Sequence, residues 1–175
     1  MTNTRKMTHL SLLVAFALVI HTVEATIALP MLVPGAKLGL ANIITLLTFI
    51  LYGFKPALLV TVIRTVLGSI FLGNFLGFGF YLSFTGGIVS TAAMAIGIRL
   101  WRSGRISLVA VSILGAVAHN TAQVATASVL IGNINLLKLY LPLLLILALP
   151  TGFFTGMAVG YANQALSHVS RPYKA

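Results

Sequence analysis

Six apolar runs, each near the length that crosses a bilayer as a helix, take up most of this chain: Leu10–Leu29, Leu38–Tyr52, Pro56–Leu72, Leu76–Ile98, Ile106–Ile131 and Leu139–Ala165. A helical span needs about 20 predominantly apolar residues, and only the second run is clearly short. Breakers separate the runs: Pro30 and Pro34-Gly35, Gly53 to Pro56, Gly73-Asn74, Ser103-Gly104 and Gly132-Asn133. Charged residues make up 7% of the 175 residues, whereas a soluble domain carries about 25%. Such a chain cannot cover a water-exposed surface, so lipid must solvate it. Alternating polarity is absent, which favours helices over a membrane barrel. The expected architecture is all-α, one domain over 1–175: a polytopic bundle of six transmembrane helices.

An even number of spans puts both termini on one side. Arg5, Lys6, Lys55, Arg99, Arg102, Arg105, Arg171 and Lys174 fall on that side, Lys37 and Lys138 on the other, and Arg64 inside a span. The positive-inside bias then places both termini in the cytoplasm of a cell-membrane protein. A net charge of +10 distributed in this way is membrane topology rather than a nucleic-acid surface. Arg5-Lys6 followed by an apolar run ending near Ala25-Thr26-Ile27-Ala28 has the outline of a signal peptide, but the run is long for one. An uncleaved first span is expected. Cysteine is absent, which excludes disulfides, thiolate catalysis and Cys-ligated metal.

Small residues recur at a spacing of four: Gly152, Gly156 and Gly160 in the sixth run, Gly73 and Gly77 at the third-to-fourth junction, and Ala118 and Ala122 in the fifth. Such stripes let helices approach closely. Packing within the chain is the expected use, with a dimer seam as the alternative.

Glu24 is the one acidic residue, and it lies in the first run. His21 precedes it by three positions, on the same helix face. Arg64 sits within the third run. His119, Asn120 and Gln123 interrupt the fifth, Asn42 lies in the second, and Asn74 stands beside the third. At about 1.5 Å of rise per residue, Glu24 and His119 lie roughly 20 Å from the inner ends of their runs and Arg64 about 12 Å. A single polar layer in the outer half of the bundle can therefore form. An unpaired charge at such depth costs about 2.5–3.5 kcal/mol, so a Glu24–Arg64 ion pair is expected. That pair either locks two helices together or also lines a ligand cavity. His21 and His119 are read as neutral buried histidines that bond neighbouring helices, with a proton relay as the alternative. Two histidines and one carboxylate make only a weak metal set, and neither metal nor cofactor is expected. Lys37 stands at the amino end of the second run, where free N–H groups favour anions. It serves either an anionic ligand or the headgroup layer.

The segment Val33-Pro34-Gly35-Ala36-Lys37-Leu38-Gly39-Leu40-Ala41-Asn42, then Arg64 with Gly68 and Gly73-Asn74, then Gly115-Ala116-Val117-Ala118-His119-Asn120 with Gln123 closely resembles a family of small bacterial membrane proteins. It carries two names, Gx transporter and heptaprenyl diphosphate synthase component I. The resemblance covers nearly the whole chain. The family is similar in turn to the substrate-binding S components of energy-coupling factor (ECF) vitamin transporters. That likeness implies a six-helix protein that holds a small molecule near the outer face and docks on a transmembrane coupling subunit driven by ATPases. The first helix departs from the Ala-x-x-x-Ala docking motif of S components: Ala15 and Ala17 are two apart, and Leu13 lies four before Ala17.

The second family name meets a chemical obstacle. A prenyl diphosphate synthase of the usual type holds Mg²⁺ with aspartate-rich motifs, because hard cations need oxygen ligands, and this chain has no aspartate. No Walker motif occurs either. The expected function is therefore not enzymatic: a membrane substrate-binding or transport subunit, with Lys37, Asn42, Glu24, Arg64, His119, Asn120 and Gln123 as polar contacts and His21 and Asn74 beside them. The alternative is a non-catalytic membrane accessory of heptaprenyl diphosphate or isoprenoid-quinone synthesis. An enzyme resting on one Glu and the histidines is the weakest reading. The Arg99–Arg105 cluster would meet anionic lipid or a partner subunit.

Overall fold

The computed structural model describes residues 3–26 and 37–169. The Pro30 to Ala36 portion of the first connection, the end of the first run, and Arg171 and Lys174 lie outside the described residues. Six helices follow in order: α1 (Asn3–Thr26), α2 (Asn42–Tyr52), α3 (Phe54–Phe71), α4 (Phe78–Arg102), α5 (Leu108–Ile131) and α6 (Asn135–Val169). All secondary structure among the described residues is helical, as the apolar runs lead one to expect. Five of the helices are long and apolar enough to cross a membrane, and α2 is not. Its 11 residues extend about 16 Å, roughly half of a 30 Å hydrocarbon layer. The second apolar run starts at Leu38, but Leu38–Ala41 is not helical.

α2 and α3 are separated by Gly53 alone, and Pro56 occupies the first turn of α3, where its missing N–H is no loss. α3 and α5 end alike. Asn74 N–H donates to the Ser69 carbonyl and Asn133 N–H to the Ser128 carbonyl, a six-residue closure that needs a left-handed residue just before the donor. Gly73 and Gly132 supply it, with φ of 67° and 71°. Ser107 opens α5 by accepting from the Ala110 N–H through its side chain.

The short helix is the hub. α2 packs against all five others, whereas α1 packs only on α2 and α3. Leu46, Leu47 and Phe49 of α2 meet Ala57 of α3, Met94 and Ile98 of α4, Val111 of α5 and Val159 of α6 in one buried cluster. Ile44 joins Ala17 and Val60 in another. A helix enclosed on every side has to be apolar all round, and NIITLLTFILY nearly is. Its threonines are accommodated: Thr48 donates to the Ile44 carbonyl, and Thr45 meets the Thr61 hydroxyl of α3 at 2.9 Å. Hydroxyls also join Ser90 to the Gly115 carbonyl and Ser112 to Thr155. Outer faces carry large apolar side chains such as Phe16, Phe71, Ile96, Val129 and Phe154, all more than half exposed.

The glycine stripe of α6 serves α5. A Cβ on Gly152 would stand 2.6 Å from Ile113 Cα, and one on Gly156 2.7 Å from Val109 Cα. Backbone cannot yield as a side-chain tip can. Gly160 faces open space, so the tight approach ends one turn earlier than the stripe. Gly156→Leu should therefore cost about 1–3 kcal/mol or more through overpacking. Gly160→Ala should be neutral or gain up to about 1 kcal/mol of helix propensity. Thermal unfolding of both variants in detergent compares them directly.

Candidate functional site

Where α2 falls short, the Gly39 and Leu40 carbonyls accept turn bonds from the Asn42 and Ile43 N–H groups, but the N–H groups of Lys37, Gly39 and Leu40 have no backbone acceptor and bond side chains instead. Irregular backbone at membrane depth is tolerated only where protein groups satisfy it, and here side chains do so. Gln123 of α5 treats the Lys37 peptide as a strand partner would: its Oε1 accepts from the Lys37 N–H at 2.9 Å and its Nε2 donates to the Lys37 carbonyl at 3.0 Å. Glu24 of α1 accepts from the Gly39 and Leu40 N–H groups through one oxygen, Oε1. These amides lie just before α2, so the carboxylate also sits at the positive end of its dipole. The anion-favouring end of α2 foreseen from the sequence is thus occupied by the chain's own Glu24.

Charged and polar side chains gather around this clamp. Lys37 Nζ donates to His21 Nε2 at 2.9 Å, which fixes His21 as a neutral acceptor. Arg64 of α3, 2% exposed, donates from Nη2 to Asn42 Oδ1 at 2.9 Å. The expected Glu24–Arg64 pair is not a direct contact among the described hydrogen bonds. The segment 39–42 stands between the two charges, with Glu24 holding its amides and Arg64 its last side chain. Geometry explains this: two backbone donors next to Glu24 satisfy the carboxylate without drawing a long side chain out of α3.

Glycines make room for the rings. A Cβ on Gly39 would stand 2.9 Å from Asn42 Nδ2 and 3.0 Å from the His119 ring, and one on Gly86 2.9 Å from the opposite edge of that ring. His119 is therefore sandwiched between the 37–41 segment and α4. Gly68 of α3 lies against His21 in the same way. These glycines escaped the sequence reading as site components, although Gly86-Gly87 inside a helical run carried a signal. An interior helix glycine costs about 1 kcal/mol and usually admits a neighbour.

The structure brings together His21, Glu24, Lys37, Asn42, Arg64, His119 and Gln123, contributed by α1, the 37–41 segment, α2, α3 and α5. It places Asn120 and Asn74 elsewhere. Asn120, on the α6 side of α5, donates from Nδ2 to the Leu144 carbonyl at 2.8 Å. Asn74 is an exposed residue of the α3–α4 turn, engaged through its backbone. Three groups in the cluster keep unmet hydrogen-bonding capacity among the described residues: Asn42 Nδ2, Arg64 Nε, and both ring nitrogens of His119. No group of three metal-ligating side chains occurs among the described residues.

Gln123 is the simplest member to test. Gln123→Leu removes both bonds to Lys37, and a buried polar group left unmet costs about 1–3 kcal/mol. An overall loss of about 2–4 kcal/mol is expected on that basis. Thr121→Ala on the same helix, which removes only a back-bond to Val117, should change stability by less than about 0.5 kcal/mol.

These features define a membrane-like helical bundle with a buried polar cluster around the amino end of α2. The model of the heptaprenyl diphosphate synthase component I family matches residues 13–162, and the chain belongs to that family. No curated protein and no solved structure matches it.

Proposed function

We propose that this chain is an integral membrane substrate-binding subunit that takes up a small molecule, organised like the S components of ECF transporters. The observation that carries the reading is the convergence of seven polar side chains on one end of an otherwise apolar bundle, with donors on Asn42, Arg64 and His119 left over. Retaining buried polar groups in a membrane segment is costly and marks function. The polar end faces outward and both termini face the cytoplasm, as the basic residues indicate. The chain has no catalytic centre of its own, and a transmembrane coupling subunit with ATPases would supply the driving force.

A second reading rests on the family's description as a component of heptaprenyl diphosphate synthase. In it the chain is a non-catalytic membrane partner of a prenyl-synthesising subunit. Affinity purification of the tagged chain from its native membranes separates the two. Recovery of a coupling subunit with ATPases supports transport. Recovery of a soluble prenyl synthase subunit instead sinks the transport reading and establishes the second.

Orientation has its own test, since the chain has no cysteine. Ser103 and Asn133 are exposed and lie in connections at opposite ends of the bundle. A membrane-impermeant maleimide should label Asn133→Cys in intact cells and Ser103→Cys only after lysis. The reverse pattern would invert the topology.

A further inference from the structure

The cluster contains more positive than negative charge. Lys37 and Arg64 are buried cations, and Glu24 is the buried anion. His21 is neutral because it accepts from the Lys37 ammonium. His119, with neither nitrogen paired among the described residues, adds no anion. Elsewhere a neighbouring carboxylate would correct the imbalance, but the chain has no second acidic side chain. An uncompensated cation at this depth is expensive.

Two of the three cluster groups with unmet hydrogen-bonding capacity are donors. Arg64 Nε–H and Asn42 Nδ2–H are donors, and a neutral His119 offers one N–H and one lone pair. The groups adjoin one another. Arg64 bonds Asn42 directly, and Asn42 Nδ2 and the His119 ring both lie within about 3 Å of a single point beside Gly39. Glu24 cannot turn to serve them without releasing the Gly39 and Leu40 amides.

We infer that the site binds its ligand through a singly anionic oxygen head, a carboxylate or a phosphodiester-like group, whose charge balances Lys37 and Arg64. The inference rests on the substrate-binding reading above and names the ligand class. A soluble acid and the phosphodiester of an anionic lipid share this chemistry. A neutral or cationic ligand would leave the excess charge in place.

The charge balance supplies a test that does not require knowing the ligand. Asn42→Asp is isosteric, puts an anion against Arg64 and neutralises the cluster from within. Lys37→Met neutralises it by removing a cation, and carries the test should Asn42→Asp fail to fold. Full-length wild type and both variants are purified in neutral detergent, and the small molecules and lipids released on denaturation are identified by mass spectrometry. Thermal unfolding is then measured on delipidated, ligand-stripped protein in phosphatidylcholine nanodiscs, alone and with phosphatidylglycerol, benzoate or its neutral isostere benzamide. An acid enriched about tenfold in the wild type over the variants is expected. Stripped wild type should unfold below both variants and recover with benzoate or phosphatidylglycerol, but not with benzamide. Recovery with phosphatidylglycerol alone assigns the head to a lipid, and recovery with benzoate assigns it to a soluble acid. Enrichment of a neutral or cationic molecule overturns the anionic head and leaves substrate binding standing. If nothing is enriched and the stripped wild type unfolds with the variants, both readings fall.

Discussion

Glu24→Ala is expected to destabilise the protein by about 3–5 kcal/mol, the cost of breaking a buried charge network by removing one partner. The loss has two sources. The Gly39 and Leu40 amides lose their acceptor, and Lys37 and Arg64 are left as buried cations with no carboxylate anywhere in the chain to answer them. Glu24→Gln keeps an acceptor oxygen in the same place and should cost less, about 1–3 kcal/mol. Thermal unfolding of detergent-purified variants ranks the two. Equal losses would show that the retained acceptor contributes nothing and that the charge of Glu24 accounts for the whole effect.

Gly39→Val should be nearly as damaging, at about 3 kcal/mol from backbone strain and overpacking together. Gly39 has φ of 81°, and its absent side chain is where Asn42 and the His119 ring approach. Gly104 provides the control. It also has positive φ, 74°, but open space around it, so Gly104→Val should show strain alone, about 1–2 kcal/mol. If the two variants unfold together, the crowding between the 37–41 segment and α5 contributes nothing.

The helices were legible because lipid solvation imposes a length and an apolar composition that can be counted. The fifth run, Ile106–Ile131, matches α5 within two residues at its start and ends with it. The exception is α2. Leu38-Gly39-Leu40-Ala41 is apolar enough to extend a helix, and locally only Gly39, which takes φ of 81°, speaks against it. What overrides the run is tertiary: Glu24 and Gln123 take up the peptide groups that helix formation would have used. The site was legible in part. Polar residues in apolar runs picked out the seven side chains that the structure brings together, but polarity alone does not say which way a helix turns. Asn120 differs from His119 by one position and so points at α6 instead. Arg64 and Glu24 were paired by charge, whereas the structure connects them through backbone and Asn42, a kind of link that sequence spacing does not reveal.

The amide of Gln123 acts as a stand-in peptide for Lys37, and the two residues are 86 positions apart. This separation has a consequence for how the protein is made. When α1, α2 and α3 have left the ribosome, α5 has not, and the Lys37 backbone has no Gln123 to receive it. Until α5 follows, the Lys37 N–H and carbonyl lack the partner that the folded chain gives them. Final seating of the central helix is a late, post-insertion step, and truncation before α5 should leave the first three helices inserted but unable to close around it.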